Sequence, residues 1–400
     1  MDQDCRVSFD HIHSQEAFVE YCRGLEQADT IAFDTEFVSE DRYRPDLCLL
    51  QVAANGRFAV IDTQVVKNLQ PFWEIITSGE HQTIVHAGRE ELQFCLHAIG
   101  RRPHELFDVP IAAALVGLEY PAAYGTLVDR LLGCSLPKGE TRTDWRRRPL
   151  SHRQLEYAVK DVEFLGPLWQ ELSKRLKNLG RRDWLDTEMT AWQQQIEHDT
   201  SEARWRRVSG SAGLNTRQLA IVRELWKWRD NEAERRDRPA RRVLRDDLIV
   251  ELARRGTADE GRISAVRGLN RRDVQKHVSN LSTCIHAALE LPEEELPERH
   301  RRAASSSQLN LLSQFLSTAL ASICRAAQVA PSLVGTVQDV RDLVAFRLKP
   351  DRASMSPPAL ATGWRAEIVG QTIDDLLAGK LSIRITDPLS DHPLEFESND

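Results

Sequence analysis

The stretch Thr30-Ile31-Ala32-Phe33-Asp34-Thr35-Glu36-Phe37 decides how we interpret this sequence. Its apolar and β-branched residues are typical of a buried strand. Asp34 and Glu36 occupy positions i and i+2, so they point to the same face of that strand. Two like charges on a buried strand are costly unless a cation lies between them, and a divalent metal with oxygen ligands would serve. The alternative is a frayed strand end whose carboxylates face water.

The composition indicates a protein of roughly two to three folded domains. Of the 400 residues, 41% are hydrophobic and 28% charged, which supports real cores. No apolar run has the length of a membrane span, and the N-terminal residues lack the features of a signal peptide. We therefore expect a cytoplasmic protein with no membrane contact. The seven cysteines are dispersed without a CxxC pair, which disfavours a disulfide framework and a zinc site.

The net charge of −7 disfavours a nonspecific nucleic-acid binder, because such proteins usually carry a basic excess. A net charge can conceal local patches, however. An enzyme that binds metals through carboxylates also carries a local acidic cluster. The charge therefore does not exclude an enzyme that acts on nucleic acid.

The first half of the chain predicts an α/β domain with a mixed sheet that ends at residue 192. A helical pattern at 10–28 precedes the carboxylate strand, and strands at 47–53 and 57–62 complete an antiparallel meander with an Asn55-Gly56 hairpin turn. Helix and strand then alternate, which indicates parallel additions to the same sheet. The predicted segments are a helix at 66–77, a strand at 83–87, a helix at 89–99, a strand at 106–108, and helices at about 109–117, 124–132 and 151–176.

The rest of the chain predicts helices only. Residues 210–291 are typical of a helical bundle, because apolar residues recur at helical spacing and glycines separate the helices. Residues 292–307, rich in proline, glutamate and serine, are typical of a linker. A second helical region is predicted over 308–385. We expect an acidic tail over 386–400, disordered toward its end.

Further carboxylates fall near the ends of predicted elements in the first domain. They are Glu91 at the start of a helix, Asp108 after a short strand and Asp161 in the helix from 151. Four carboxylates converging from different elements would make a two-metal site. Tyr157 precedes Asp161 by four residues, so the two share a helical face and Tyr157 could position an attacking water. The alternative is a half-buried tyrosine beside a solvated aspartate.

Several short motifs follow one another in a characteristic order. They are Phe33-Asp34-Thr35-Glu36-Phe37, Leu49-Leu50-Gln51-Val52, His86-Ala87-Gly88, Phe107-Asp108, Arg142-Thr143-Asp144-Trp145 and Tyr157-Ala158-Val159-Lys160-Asp161. Together they resemble the RNase D family of DEDD exonucleases over about residues 8–190. The resemblance implies a DnaQ-like, RNase H-related fold. It also implies removal of nucleoside 5′-monophosphates from RNA 3′ ends with two divalent ions, Mg²⁺ or Mn²⁺.

The resemblance assigns roles to individual residues. Asp34, Glu36 and Asp161 look like metal ligands, and Tyr157 looks like the residue that orients the nucleophilic water. Glu91 stands where the family has an aspartate. Its extra methylene would still let it reach a metal directly or through water, and the alternative is a negative charge that favours a helix N-terminus. Asp108 falls where the family has an aspartate after a short strand, and we interpret it as a residue that supports the site or caps the helix that begins next.

Residues 210–291 resemble the HRDC modules of the same family, and 308–385 resemble a degenerate second module. Five arginines are candidate contacts to a nucleic-acid backbone. They are Arg142, Arg146, Arg147, Arg241 and Arg242. The alternatives are a solvated basic loop for Arg146 and Arg147 and a salt-bridged helical surface for Arg241 and Arg242.

These features predict a metal-dependent 3′–5′ exoribonuclease. We expect a monomer that trims RNA with a single-stranded 3′ end, with tRNA precursors as the natural substrates. Two alternatives stay open. Glu91 in place of aspartate could leave a non-catalytic or weakly active RNA-binding protein. The same chemistry could also act on DNA, because no feature of the sequence visibly recognises the 2′-hydroxyl.

Overall fold

The computed structural model has an α/β domain followed by helical regions, as the sequence predicts. It describes residues 7–136, 143–199, 202–269, 275–299, 307–349, 356–390 and 393–399. Within those ranges, no helix combines the length and the apolar character needed to cross a membrane.

A six-stranded mixed sheet of order β1-β4-β3-β2-β5-β6 forms the centre of the N-terminal domain. Its strands are β1 (Asp10–Ile12), β2 (Thr30–Val38), β3 (Asp46–Ala54), β4 (Arg57–Asp62), β5 (Gln82–Val85) and β6 (Leu106–Asp108). The strands β2, β3 and β4 make the predicted antiparallel meander. The strands β1, β5 and β6 pair in parallel with their neighbours, which confirms the mixed sheet.

The helices of this domain follow the predicted order. They are α1 (Gln15–Leu25), α2 (Gln70–Ser78), α3 (Arg89–Ile99), α4 (Val109–Ala114), α5 (Tyr124–Leu132), α6 (His152–Glu163), α7 (Leu165–Asn178) and α8 (Arg182–Asp199). The long helix predicted over 151–176 is two helices. It breaks at Phe164, whose φ and ψ of −101° and 1° leave the helical region. Pro167 explains the break, because it has no N–H to donate to the carbonyl four residues earlier.

The start of the chain differs from the prediction as well. Asp10–Ile12 form the edge strand β1 instead of the first turn of a helix, and they pair with Ala59–Ile61 of β4. A strand of three residues is too short to show an alternating pattern in the sequence. The helix α1 begins after Ser14, whose hydroxyl accepts a hydrogen bond from the Ala17 N–H.

The two faces of the central sheet are buried differently. Phe33, Leu50 and Ile61 belong to the main core of the domain on one face. On the other face, Leu49 and Val60 belong to a smaller cluster that contains Ala158 and Val159 of α6 together with Trp145. Because side chains alternate along a strand, residues next to Phe33 and Leu50 on their strands face α6.

The middle of the chain is a helical unit with a hydrophobic core of its own. After a 3₁₀ turn at Glu202–Arg207, it contains α9 (Thr216–Arg235), α10 (Ala240–Val243), α11 (Asp246–Arg255), α12 (Glu260–Ser264) and α13 (Val278–Glu290). A capping box of Asn215 and Gln218 begins α9. Buried Arg229 crosses the core of the unit and pairs with Asp246 at 2.6 Å.

The C-terminal region does not join that unit but returns to the first domain. Its helices are α14 (Ser307–Ala326), α15 (Pro331–Val334), α16 (Val337–Arg347), α17 (Gly363–Arg365) and α18 (Gln371–Leu377). Their buried residues, such as Leu320, Val340 and Ile373, share one hydrophobic core with α7 and α8. The Arg365 guanidinium binds both carboxylate oxygens of Glu188 on α8 at 2.7 and 2.8 Å.

The end of the chain corrects two expectations. Residues 381–385, placed in the second helical region, form the strand β7 (Leu381–Ile385). Residues 394–398, expected in the disordered acidic tail, form the strand β8 (Leu394–Ser398), which pairs antiparallel with β7. Cross-strand pairs such as Arg384 with Glu397, at 2.9 Å, use the acidic residues of the tail.

Candidate active site

The strand β2 carries two carboxylates toward α6. Its register with β3 places Asp34 opposite Gln51 and Glu36 opposite Leu49. Since Leu49 lies in the cluster beneath α6, both carboxylates lie on that face too. The regular pairing of β2 is interrupted between Glu36 and Phe37. Both carboxylates keep partial exposure, so the cleft between the sheet and α6 is open to solvent.

The helix α6 supplies Tyr157 and Asp161 from above the sheet. A capping box at Ser151 and Gln154 sets where this helix begins, and therefore which residues face the strands. Tyr157 lies one helical turn before Asp161 on the same face of α6, and its hydroxyl interacts with that carboxylate. Burial and then the charge of Asp161 raise the pKa of Tyr157. Tyr157 therefore stays protonated at neutral pH and can donate a hydrogen bond.

Glu91 enters the site from the first turn of α3. Its side chain is buried, with 5% of its surface exposed. The Thr35 hydroxyl donates a hydrogen bond to Glu91 Oε1 at 2.5 Å. Burial and then the charge of Asp34 raise the pKa of Glu91 to about 8. Glu91 thus lies at a helix N-terminus and also within the electrostatic field of the β2 carboxylates.

The four carboxylates repel one another. Burial, followed by the charges of Asp34, Asp161 and Glu91, raises the pKa of Glu36 to about 9. Burial raises the pKa of Asp161 to about 7, and burial and then Asp161 raise the pKa of Asp34 well above its usual value. A cation placed among these oxygens would relieve the repulsion. The donor set is all oxygen, which suits hard divalent cations such as Mg²⁺ and Mn²⁺.

The four carboxylates fit a divalent cation by the chemistry of their oxygen donors. Across the described parts of the chain, no three histidine, cysteine, aspartate or glutamate side chains are already grouped as a metal site. Bringing the four carboxylates onto shared cations would therefore require side-chain adjustment within the cleft. Their partial exposure on β2 and α6 leaves room for that adjustment.

Asp108 lies at the end of the edge strand β6 and supports the turn that precedes α3. Its buried carboxylate accepts hydrogen bonds from the Gly88 N–H at 2.9 Å and the Ile111 N–H at 3.2 Å. It therefore caps α4 and also holds the turn that leads into α3 and Glu91. At Gly88 a β-carbon would lie 2.4 Å from a methyl group of Val85, so this turn requires glycine. Burial raises the pKa of Asp108 to about 6.

Sequence reasoning gave no role to two aromatic residues beside the site. The His86 imidazole lies 3.2 Å from the Ala122 carbonyl oxygen, and its ring packs edge-on against Tyr124. The Tyr124 hydroxyl donates to the Lys160 carbonyl at 3.0 Å and accepts from the Phe164 N–H at 3.1 Å. These contacts hold the end of α6 next to Asp161. They join residues 36 to 40 positions apart, so no local pattern signals them.

Four of the five candidate arginines lie within the described residues. Arg142 lies outside the described residues. Both terminal nitrogens of Arg146 bind Asp41 at 2.9 Å, and Arg147 is exposed. Arg241 and Arg242 lie exposed on α10 in the helical unit, where Arg241 is 3.3 Å from Asp246.

The helical unit contacts the loop that follows β2. The Tyr43 hydroxyl donates to Asp230 of α9 at 2.8 Å, and Arg44 pairs with Glu234 at 2.6 Å. The same loop lines a cavity of about 380 Å³ together with Phe94 of α3. The helical unit therefore lies beside the elements that carry the β2 carboxylates and Glu91.

Known proteins with this organisation are similar over almost the whole chain. Residues 9–177 match the family model for 3′–5′ exonucleases, and residues 218–285 match the model for HRDC domains. Ribonuclease D of Sphingobium indicum is 32% identical over 94% of this chain and 96% of its own. Ribonuclease D of Zymomonas mobilis is 32% identical over 91% and 93% of the two chains. The crystal structure of Escherichia coli RNase D aligns with a TM-score of 0.80 at 27% identity, covering 93% of this chain and 99% of that one. The chain therefore belongs to the ribonuclease D family.

Proposed function

We propose that this protein is a metal-dependent 3′–5′ exoribonuclease. The observation that carries the proposal is the convergence of Asp34, Glu36, Glu91 and Asp161 from three elements, with Tyr157 one helical turn from Asp161. The Escherichia coli relative is described as an exoribonuclease involved in structured RNA processing. That description supports RNA over DNA as the substrate of this chain.

The four carboxylates would hold two divalent cations, Mg²⁺ or Mn²⁺. Bound cations supply positive charge for the scissile phosphate and acidify water. Asp34, Glu36 and Asp161 would be direct ligands. Glu91 would bind directly or through water, because its carboxylate interacts electrostatically with Asp34 and Glu36.

Tyr157 would orient the water that attacks the terminal phosphodiester. Its raised pKa keeps the hydroxyl protonated, so it acts by hydrogen bonding and not as a general base. Attack by water forms a new P–O bond as the bond from phosphorus to the 3′-oxygen of the preceding nucleotide breaks. The leaving 3′-oxygen takes up a proton. The products are a nucleoside 5′-monophosphate and an RNA shorter by one nucleotide.

The substrate would be RNA with a single-stranded 3′ end, and we propose tRNA precursors as the natural substrates. The helical unit at 210–291 supports this proposal, because its α9 contacts the loop after β2 through Tyr43 and Arg44. It could bind the body of an RNA whose 3′ end enters the cleft. A second module at 308–385, a monomeric state and a cytoplasmic location belong to the same proposal.

A 3′-tailed RNA tests the proposal directly. With Mg²⁺ or Mn²⁺, we expect stepwise shortening from the 3′ end, and no shortening under both metals would reject the function. Asp34→Asn is expected to abolish activity with an unchanged melting temperature. Asp29→Asn is the matched control, because Asp29 is exposed just before the same strand. A DNA oligonucleotide of the same sequence decides between the two nucleic acids.

A wild-type protein that binds RNA but does not shorten it would favour the alternative of a non-catalytic RNA-binding protein. The position of Glu91 argues against it. Its carboxylate interacts electrostatically with Asp34 and Glu36 in spite of the extra methylene. Calorimetric titration of Mn²⁺ into the wild-type protein separates the alternatives, because a protein with a spoiled site would show no tight binding.

A further inference from the structure

Gln51 is a buried polar residue without a role in the chemistry described above. Its side chain is fully buried in the middle of β3. Neither Oε1 nor Nε2 of its amide has a hydrogen-bond partner within the described part of the protein. An amide in that situation has lost its water without replacing it, which is costly, and native proteins rarely tolerate it without a reason.

The place of Gln51 in the sheet suggests the reason. Its register partner on β2 is Asp34, and its partner on β4 is Val60. Side chains that lie opposite each other on neighbouring strands share a face, with β-carbons about 4.5–5.5 Å apart. The Gln51 amide therefore has an apolar neighbour on one side and a candidate metal ligand on the other. Both lie beneath α6, which carries Asp161.

We infer that Gln51 is a positioning residue for Asp34, and that its Nε2–H donates to Asp34 when that carboxylate binds a cation. The inference rests on the proposed function. A carboxylate that binds a metal through one oxygen leaves the other oxygen as an acceptor, and a neighbouring donor fixes its orientation. Asp34 is partly exposed to the cleft, and its neighbour on the adjacent strand is Gln51. The buried amide is therefore unsatisfied in the metal-free protein and satisfied in the loaded one.

The competing explanation is a purely structural amide whose partner is a buried water. The two explanations predict opposite results for Gln51→Met, which removes both polar atoms and keeps the length of the side chain. Under our inference, the metal-free variant melts at the wild-type temperature or above it, because an unsatisfied amide has been removed. Its affinity for Mn²⁺ falls by about 10- to 100-fold, the loss typical of a partner that orients a metal ligand. A structural amide predicts a lower melting temperature and an unchanged affinity.

The measurements are thermal melting of the metal-free protein and calorimetric titration with Mn²⁺, both without RNA. Leu49→Met is the matched control, because Leu49 is fully buried on the same strand and face, opposite Glu36. It should leave the Mn²⁺ affinity within twofold of the wild type. Excess Mn²⁺ should also restore RNA shortening by Gln51→Met but not by Asp34→Asn. If Gln51→Met does not fold, Gln51→Asn replaces it, and its shorter amide should weaken Mn²⁺ binding by the same route.

The outcomes separate this inference from the proposed function. A wild-type protein that binds no Mn²⁺ overturns both. A wild-type protein that binds Mn²⁺ and shortens RNA, with Gln51→Met of equal affinity, overturns the assignment of Gln51 alone.

Discussion

Two tyrosines lie near Asp161, Tyr157 on α6 itself and Tyr124 at the start of α5. Replacing each with phenylalanine should have a different effect. The Tyr157 hydroxyl interacts with the Asp161 carboxylate in the partly exposed cleft. The Tyr124 hydroxyl instead bridges two backbone groups, the Lys160 carbonyl and the Phe164 N–H. The first contact should matter for chemistry and the second for stability.

The magnitudes follow from these partners. Tyr157→Phe keeps the ring against Trp145 and loses the donor that would orient water. We expect kcat to fall about 100-fold, or about 2.7 kcal/mol in activation free energy, with little change in stability. Tyr124→Phe removes both hydrogen bonds that this hydroxyl makes with the backbone. At about 0.5–1.5 kcal/mol for each hydrogen bond, it should cost about 1–3 kcal/mol of stability.

The assay compares single-nucleotide release from a short single-stranded RNA at saturating Mn²⁺ with thermal melting of the same preparations. Tyr157→Phe should lose activity at an unchanged melting temperature. Tyr124→Phe should melt a few degrees lower and retain more activity than Tyr157→Phe at temperatures well below its melting point. Wild-type kcat in Tyr157→Phe would refute its role. Equal loss of activity in both variants with unchanged melting would refute the distinction between them.

Three further predictions concern the carboxylates and the C-terminal region. Glu91→Asp shortens the side chain by one methylene and should weaken Mn²⁺ binding about tenfold, the loss typical of a disturbed ligand shell. An unchanged Mn²⁺ affinity in calorimetry would contradict a role for the longer side chain. Metal binding should tighten from pH 6 to pH 9, because protons must leave the carboxylates before a cation binds. The raised pKa values are about 7 for Asp161, about 8 for Glu91 and about 9 for Glu36. A Mn²⁺ affinity that does not change with pH would contradict this prediction. Arg365→Ala leaves the Glu188 carboxylate, which is 13% exposed, without its ion-pair partner. The variant should lose about 2–3 kcal/mol of unfolding free energy, less than for a fully buried pair. An unchanged melting curve would contradict a stabilising contact.

Local sequence patterns were sufficient for most elements of the first domain. The Asn55-Gly56 turn, followed by a run with four consecutive apolar residues, predicted β4 at its observed bounds. The helix α3 also has its predicted bounds. The edge strand β1 was missed because three residues carry no period, and it is a strand only through its pairing with β4. The hairpin of β7 and β8 was missed for another reason: its five-residue strands do alternate apolar and polar residues, but they were assigned to the second helical region and the acidic tail.

The placement of the C-terminal region could not be predicted from composition either. Its helices have the periodicity of any amphipathic helix, and that pattern does not say which surface will cover the apolar face. The structure packs them against α7 and α8, with Arg365 on Glu188 as the polar contact. Residues that are far apart in the chain decide that choice.

For the candidate site, the sequence alone determined which side chains can act together within one element. Asp34 and Glu36 share a face because a strand alternates, and Tyr157 and Asp161 share one because a helix repeats every three to four residues. Only the tertiary structure decided what lies opposite them. Thr35 meets Glu91 across 56 residues of chain, and the β2–β3 register puts Gln51 beside Asp34. Periodicity is a property of the local backbone, whereas burial, charge repulsion and an unsatisfied amide arise only when separate elements share one cleft.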